Sequence, residues 1–451
     1  MDTFLIAIAA FIPAILLLVV IHEFGHFATA RALGVKVLEF GIGFPPRAFG
    51  IYTGNTRVAV DSATRFINVD GVAGMHSGQL VKVSSTEDQD GNLVARVVEA
   101  PSPPSGLAAR LPGRGGGGTQ EEWVPEEYLK HEGKVRAVEG DHFVLADMLY
   151  SVNWAPLGGF VKLAGESNPD IPRSLASKSA GTRFIVLVAG PLMNLIFPIV
   201  VFTVLLMIPQ EVVVGQVVVN SFNDVNAGSP GETAGLLQQD IILQANGHKI
   251  ENTEDMRRAT NLNGGAEMEL HVLRQGREEA LLVRPQFSAS DSVWLVGITI
   301  TLEDSRTERR SDPPWTAFAG GFTNTWEVLV LVKQAISGAV GERDAPEFSG
   351  PVGIAQITGE ITREGGWTGW LIITILLSLN LAIINILPIP PLDGSRIVFV
   401  VLEWVRRGKR VPPEREGLVH LIGFVVLIGG ILAITANDIN RLIQGGSLLG
   451  G

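Results

Sequence analysis

Ile21-His22-Glu23-Phe24-Gly25-His26-Phe27 closes an unbroken apolar run that begins at Phe4. On a helix, His22 and His26 stand four residues apart on one face, so both imidazoles reach one metal ion. H-E-x-x-H in that setting is the pattern that binds zinc. Glu23 lies beside them, placed to take a proton from a water that the metal activates. With eight histidines in 451 residues, the motif arises by chance in about one such chain in a hundred. Its surroundings add weight, because two histidines and a glutamate at membrane depth are costly unless they bind something.

Four runs have about the length that a hydrocarbon core of about 30 Å requires: Phe4–Ile21, Phe184–Ile208, Trp370–Leu387 and Leu418–Ile434. They hold most of the apolar excess of a chain that is 46% hydrophobic, with mean hydropathy +0.29. Met1-Asp2-Thr3 carries no positive charge, so the first run reads as a span and not as a cleaved leader, although Ala28-Thr29-Ala30 resembles a cleavage site. A net charge of −11 argues against a nucleic-acid partner. Without cysteine there are no disulfides and no thiolate ligands.

After the first span, Phe40-Gly41-Ile42-Gly43-Phe44-Pro45-Pro46 reads as a β-loop, and beside a metal site it is expected to offer a strand edge. Residues 56–150 form a polar insertion. Hairpins are predicted around Asp88-Gln89-Asp90-Gly91 and Glu139-Gly140-Asp141, with a flexible Pro/Gly loop over Pro101–Gly118. Its histidines, His76, His131 and His142, lack ligand spacing and are expected to be solvated. Residues 151–211 return the chain through Pro156-Leu157-Gly158-Gly159-Phe160-Val161-Lys162 to a second span carrying Gly190-Pro191-Leu192-Met193-Asn194. A lone intramembrane asparagine reads as helix–helix glue. Residues 212–287 resemble a PDZ domain of the bacterial type, which takes a peptide C-terminus by strand addition. Residues 288–369 are expected to be a linker and an amphipathic surface helix over Thr323–Val340. The last section, 370–451, holds the third and fourth spans.

Charge sets the expected topology. Arg31, Lys36, Arg173, Lys178 and Arg183 flank one loop, and Arg406, Arg407, Lys409, Arg410 and Arg415 crowd another. The positive-inside rule makes both cytoplasmic. The fold class is therefore a polytopic α-helical membrane protein of about four transmembrane helices, with an extracytoplasmic α+β PDZ-like domain and a cytoplasmic β-rich insertion. In this topology spans one and three descend from the same side, so their C-terminal ends arrive at the same depth. A catalytic zinc needs three protein ligands and an open position, and Asp393 is the carboxylate at the end of span three. Pro388, Pro390 and Pro391 break the helix there, which frees Asp393 to point sideways.

These motifs occur in one order: His22-Glu23-x-x-His26, Pro156-Leu157-Gly158-Gly159, Gly190-Pro191-x-x-Asn194, one PDZ-like domain, Gly350-Pro351-Val352-Gly353, and Asn385-x-x-Pro-x-Pro-x-Leu392-Asp393-Gly394. Together they resemble the site-2 protease family, the bacterial zinc metalloproteases of regulated intramembrane proteolysis. The resemblance implies a zinc metalloendopeptidase of the bacterial inner membrane. It makes His22, His26 and Asp393 the metal ligands and Glu23 the base, and sets Asn385 near the scissile carbonyl. It implies a single-span membrane protein as substrate, such as an anti-sigma factor already trimmed outside, cut within the lipid bilayer. The polar insertion departs from the family pattern. Two other readings compete: a membrane-anchored zinc peptidase working in water needs a third ligand in a soluble domain, where none has evident spacing, and a non-enzymatic PDZ adaptor leaves the H-E-x-x-H and Asp393 without a purpose.

Overall fold

The computed structural model describes residues 2–101, 125–222, 228–288, 293–341 and 350–443. The expected flexible loop over Pro101–Gly118 lies, but for Pro101, outside them. The chain divides into two compact units, Met1–Phe197 with Phe348–Gly451, and Pro198–Glu347.

In the first unit α1 (Asp2–Ala32) is the first apolar helix. It leads into β1 (Val37–Thr53). A small barrel follows, built from β2 (Thr56–Ala59), β3 (Arg65–Ile67), β4 (Leu80–Glu87), β5 (Leu93–Glu99), β6 (Leu129–Glu139) and β7 (His142–Ala146). The strand order is β2-β7-β6-β4-β5-β3, and a further pairing of β2 with β5 closes the ring. Both predicted hairpins are present, as the β4–β5 and β6–β7 pairs. Val58, Val81, Val83, Ala95, Val98, Phe143 and Leu145 fill the interior.

One expectation fails in this barrel. His131 is buried, because inward positions on β6 recur every second residue through Leu129, His131, Gly133 and Val135. Its Nδ1 donates to Asp147 Oδ2 at 2.6 Å, and its Nε2 accepts the Ser85 hydroxyl at 2.9 Å. Lys36 Nζ meets the same Asp147 oxygen at 2.6 Å, and Thr56 Oγ1 donates to the other at 2.6 Å. Ser–His–Asp in that order is also a hydrolase relay. Here Ser85 and Asp147 are at most 1% exposed and His131 is 4% exposed, so no substrate reaches them. The cluster is a joint between the barrel and the end of α1. Burial pushes the His131 imidazole below its ordinary range. Burial also pulls Asp147 upward, yet the His131 bond and the Lys36 charge hold it down to about 2.

β8 (Met148–Leu163) pairs with β1 along two registers. Phe40 lies opposite both Tyr150 and Val161, and Ile42 opposite both Val152 and Gly159. Residues 47–53 pair with 148–153 on the far side, from Arg47 opposite Asn153 to Thr53 opposite Met148. The Gly41–Phe44 loop, expected to offer a strand edge, is therefore largely interior to the ribbon. Gly41 faces the Phe160 ring, and Gly43, at φ 77°, turns beside the Ala155 carbonyl, so both glycines serve close packing. The open edges among the described residues belong to 47–53 and 159–163. Phe44, Phe49, Ile51, Val152 and Trp154 leave the ribbon's surface apolar.

α2 (Ala180–Met207) is the second apolar helix. In the second unit β9 (Gln210–Phe222), α3 (Pro230–Thr233), β10 (Ile241–Ala245), β11 (His248–Lys249), α4 (Thr253–Leu262), β12 (Met268–Arg274) and β13 (Arg277–Val283) make the PDZ-like domain. Asn246-Gly247 and Gln275-Gly276 both carry two positive φ values, the tight-hairpin geometry, at the turns after β10 and β12. Met268, Leu270 and Val272 alternate inward on β12 against Val217, Val219, Ile242 and Met256. β14 (Gln286–Ser288) and β15 (Val293–Leu295) form a small hairpin. β16 (Ile298–Arg310) then joins the main sheet, which runs β13-β12-β10-β9-β16. The stretch expected to be linker therefore supplies the sheet's edge strand. The amphipathic helix is α5 (Pro314–Gly341), which begins nine residues earlier than expected and exposes Trp315, Phe318, Phe322 and Trp326. Arg258 on α4 bonds Glu327 and Asn324 on α5.

Back in the first unit, α6 (Pro351–Ile386) is broken at Gly366 by φ 56° and ψ −138°, and its C-terminal part is the third span. α7 (Asp393–Val405) was not foreseen, and α8 (Pro413–Ile443) is the fourth span. Gly359 packs on Ala7, and Trp370 Nε1 donates to the Ala10 carbonyl at 2.9 Å. Past the break, Trp370 at the start of the third span meets Ala10 while Asp393 just beyond its end meets His22, so α1 and the third span run in the same direction.

Candidate metal centre

His22 and His26 occupy the penultimate turns of α1, and Asp393 is the first residue of α7. Asp393 is brought back by a tight reversal after α6, in which Ile389 N donates to Leu387 O and Leu392 N to Ile389 O. Gly394 makes the reversal possible, since a side chain there would overlap the Ile386 and Leu387 carbonyls. His22 Nε2 lies 2.9 Å from Asp393 Oδ2, His26 Nε2 lies 3.3 Å from it, and the two Nε2 atoms are 3.2 Å apart. All three side chains are mostly buried.

The triangle fits a zinc ion. Tetrahedral zinc with bonds of about 2.0–2.1 Å separates its ligand atoms by about 3.3–3.4 Å, close to the distances found. Among the described residues this is the one group of three or more His, Asp or Glu ligand atoms that converges so. It therefore does not draw a ligand from a soluble domain. The main chain of α2 favours the ligand form of His26. His26 Nδ1 donates to the Val186 carbonyl at 2.7 Å, which leaves Nε2 bare for the metal. Gly190 faces both rings, and a methyl group in its place would sit 2.7 Å from His22 Nε2 and closer still to His26 Nε2. Asn194, fully buried, approaches His22 Nδ1 at 3.2 Å.

Glu23 is half-buried, and its Oε2 accepts the Val161 N–H at 3.0 Å. Val161 belongs to the open edge 159–163, so that edge faces the carboxylate. Gly25 lets α1 approach α2, since a side chain there would strike Ala189 and Met193.

Asn385 lies on α6 and is 9% exposed. Among the described residues no hydrogen bond joins its side chain to the triangle. Nothing in the sequence alone assigns a role to Val186, Gly190 or Val161, and Asn194 reads there as helix glue. The spacing of Gly190 and Asn194, one helical turn apart opposite H-E-x-x-H, was the available signal.

The model of peptidase family M50 matches residues 10–91 and 142–430. The gap falls within the polar insertion. The zinc metalloprotease RasP of Oceanobacillus iheyensis is 30% identical over 96% of this chain and 99% of its own. The regulator of sigma-W protease RasP of Bacillus subtilis is 28% identical over 97% and 99%. The probable protease eep of Enterococcus faecalis is 28% identical over 96% and 99%. Among solved structures, the PDZ domain of an SdrC-like protein from Listeria monocytogenes aligns with 19% of this chain and 86% of its own, at 16% identity and a TM-score of 0.17.

Proposed function

The chain belongs to peptidase family M50 and is a multi-pass membrane zinc metalloendopeptidase of the site-2 type; from that premise we propose how its residues divide the work of intramembrane proteolysis. His22, His26 and Asp393 hold the zinc. Bound there, zinc supplies Lewis acidity toward a carbonyl oxygen and lowers the pKa of water. Glu23 takes the proton of the attacking water and returns it to the leaving nitrogen. Asn385, at the end of the same span as Asp393, is assigned to the scissile carbonyl.

The substrate is a transmembrane segment of a single-span protein, released for cutting by a prior trim on the outer side. An anti-sigma factor is the expected example, in keeping with the sigma-W regulator among the relatives. A helix hides its carbonyls in i→i−4 hydrogen bonds, so the segment must unwind before it is cut. The open edge 159–163 offers backbone partners for the unwound stretch, and it lies at Glu23 through the Val161 N–H. The exposed edge of β16 beside α4 is assigned to a peptide C-terminus. The basic loops lie in the cytoplasm and the PDZ-like domain outside, with the spans in the bacterial inner membrane.

The observation that carries this reading is the convergence of three ligand atoms within 2.9–3.3 Å, with a glutamate held one residue away. Zinc content and cleavage of a membrane-embedded substrate test it together. Glu23→Gln should keep its zinc and lose cleavage, because size is preserved and only proton transfer is removed. Asp393→Ala should lose both, and full zinc with full activity in that variant would refute the ligand set.

A further inference from the structure

One face of α2 backs both histidines. Val186, Gly190 and Asn194 recur every four residues and so stack along one side of the helix. Val186 accepts the Nδ1–H of His26 through its carbonyl at 2.7 Å. Gly190 leaves the space into which both rings project. Asn194 reaches Nδ1 of His22 with its Nδ2 at 3.2 Å, while its buried Oδ1 has no hydrogen-bond partner among the described residues. Its backbone is held from α6, where the Ser378 hydroxyl donates to the Asn194 carbonyl at 2.7 Å.

We infer that Asn194 is the positioning residue for His22, presenting Oδ1 to the His22 Nδ1–H when Nε2 holds the metal. The inference rests on His22 being a zinc ligand. An imidazole that gives its Nε2 lone pair to a metal carries its proton on Nδ1. In this site that proton is buried, and a buried donor needs an acceptor. The nitrogen of Asn194 would set two donors head to head; its oxygen satisfies the proton. The two ends of the amide have nearly the same shape and opposite roles, so a half-turn of the amide makes the exchange without moving the helix. That half-turn also gives the orphaned oxygen its partner. The opposite tautomer, with Nε2–H donating to Asp393 at 2.9 Å, leaves Nδ1 bare to accept from Nδ2 of Asn194. One side chain therefore serves both forms of His22, which no purely donating or purely accepting residue does. His26 is fastened by a main-chain carbonyl that substitution does not remove. His22 is fastened by a side chain, and that makes Asn194 the mutable member of the pair.

The test uses the full-length protein in detergent, stripped of metal and titrated with zinc against a chelating competitor. Asn194→Leu keeps the branched shape and removes the acceptor; Asn194→Asp keeps an acceptor in the same place. Removing an outer partner of a ligating histidine weakens metal binding by about 10- to 100-fold, and this is the loss expected for Asn194→Leu. The visible spectrum of its cobalt-substituted form should shift as well. Asn194→Asp should bind zinc within a few-fold of wild type. Zinc binding of Asn194→Leu equal to wild type overturns the inference, and so does an equal loss in both variants, which would mean packing. Asn194→Ala is read in place of the leucine variant if the latter does not fold. His22→Ala, run alongside, separates the premise from the inference: unchanged zinc affinity there would remove His22 from the ligand set.

Discussion

Replacing Gly190 by alanine inserts one methyl group into the narrowest part of the metal centre. The added carbon would lie 2.7 Å from His22 Nε2 and 2.7 Å from His26 Cε1, and closer to His26 Nε2. Ordinary van der Waals contact begins at 3.4 Å, so both rings must retreat by about 0.7 Å or more. Working metal sites hold their ligand distances within about 0.2 Å, so such a retreat takes both nitrogens out of bonding geometry together. Zinc affinity should therefore fall by more than the 10- to 100-fold typical of losing an outer partner. The metal-free fold should suffer far less. Alanine favours a helix over glycine by about 1 kcal/mol, which partly offsets an overpacking cost of about 1–3 kcal/mol. The expected signature is thus a helical, folded protein without zinc and without cleavage. Metal analysis, circular dichroism and cleavage of a membrane-embedded substrate measure the three parts. Gly429→Ala on α8 is the control, since the same methyl group there meets nothing within 4 Å. Wild-type zinc content in Gly190→Ala would refute the cradle, and loss of helix content would refute the separation of metal binding from folding.

The joint at Asp147 yields two further expectations. Lys36→Met leaves a fully buried carboxylate short of its cation, and breaking such a pair costs about 3–5 kcal/mol. Faster hydrogen exchange in β6 and β7 should report it, and a change worth under about 1 kcal/mol would mean that the pair is dispensable. Burial makes His131 harder to protonate in the folded state than in the unfolded chain, where the imidazole titrates near 6.5. Below that pH the unfolded state therefore binds the extra proton, and stability falls as pH drops, by at most about 1.36 kcal/mol per unit. Asp147, with a folded pKa of about 2 against 3.8, adds its loss only between those values. Denaturant midpoints between pH 7 and 5 should show the slope in wild type and a flatter one in His131→Gln. Equal slopes would exclude the imidazole.

The spans, H-E-x-x-H and the carboxylate at Asp393 were legible because each depends on local pattern: a long apolar run, a four-residue spacing, a proline-broken helix end. What was not legible depends on partners distant in sequence. β16 carries charged residues through most of its outer half, and only its pairing with β9, about 85 residues earlier, makes it a strand of the PDZ-like sheet. Gly41 and Ile42 look like an edge until β8 is seen on both sides of them. The part Asn194 plays turns on which face of α2 meets α1, and an apolar helix without a polar stripe does not announce its faces. His131 is a different case. Its place in the alternation Leu129, His131, Gly133, Val135 was readable, and weighing only ligand spacing passed over it.

His22 and Asp393 stand 371 positions apart. At about 5–20 residues per second of synthesis, the aspartate leaves the ribosome roughly 20 to 75 seconds after the histidine. Throughout that interval a growing chain carries H-E-x-x-H and Glu23 but lacks the third corner of its triangle. A stalled or prematurely ended chain lacks it permanently. On the proposed ligand set, the site is completed only once the chain has been made through Asp393, so the order of residues along the chain sets the earliest moment at which it can act.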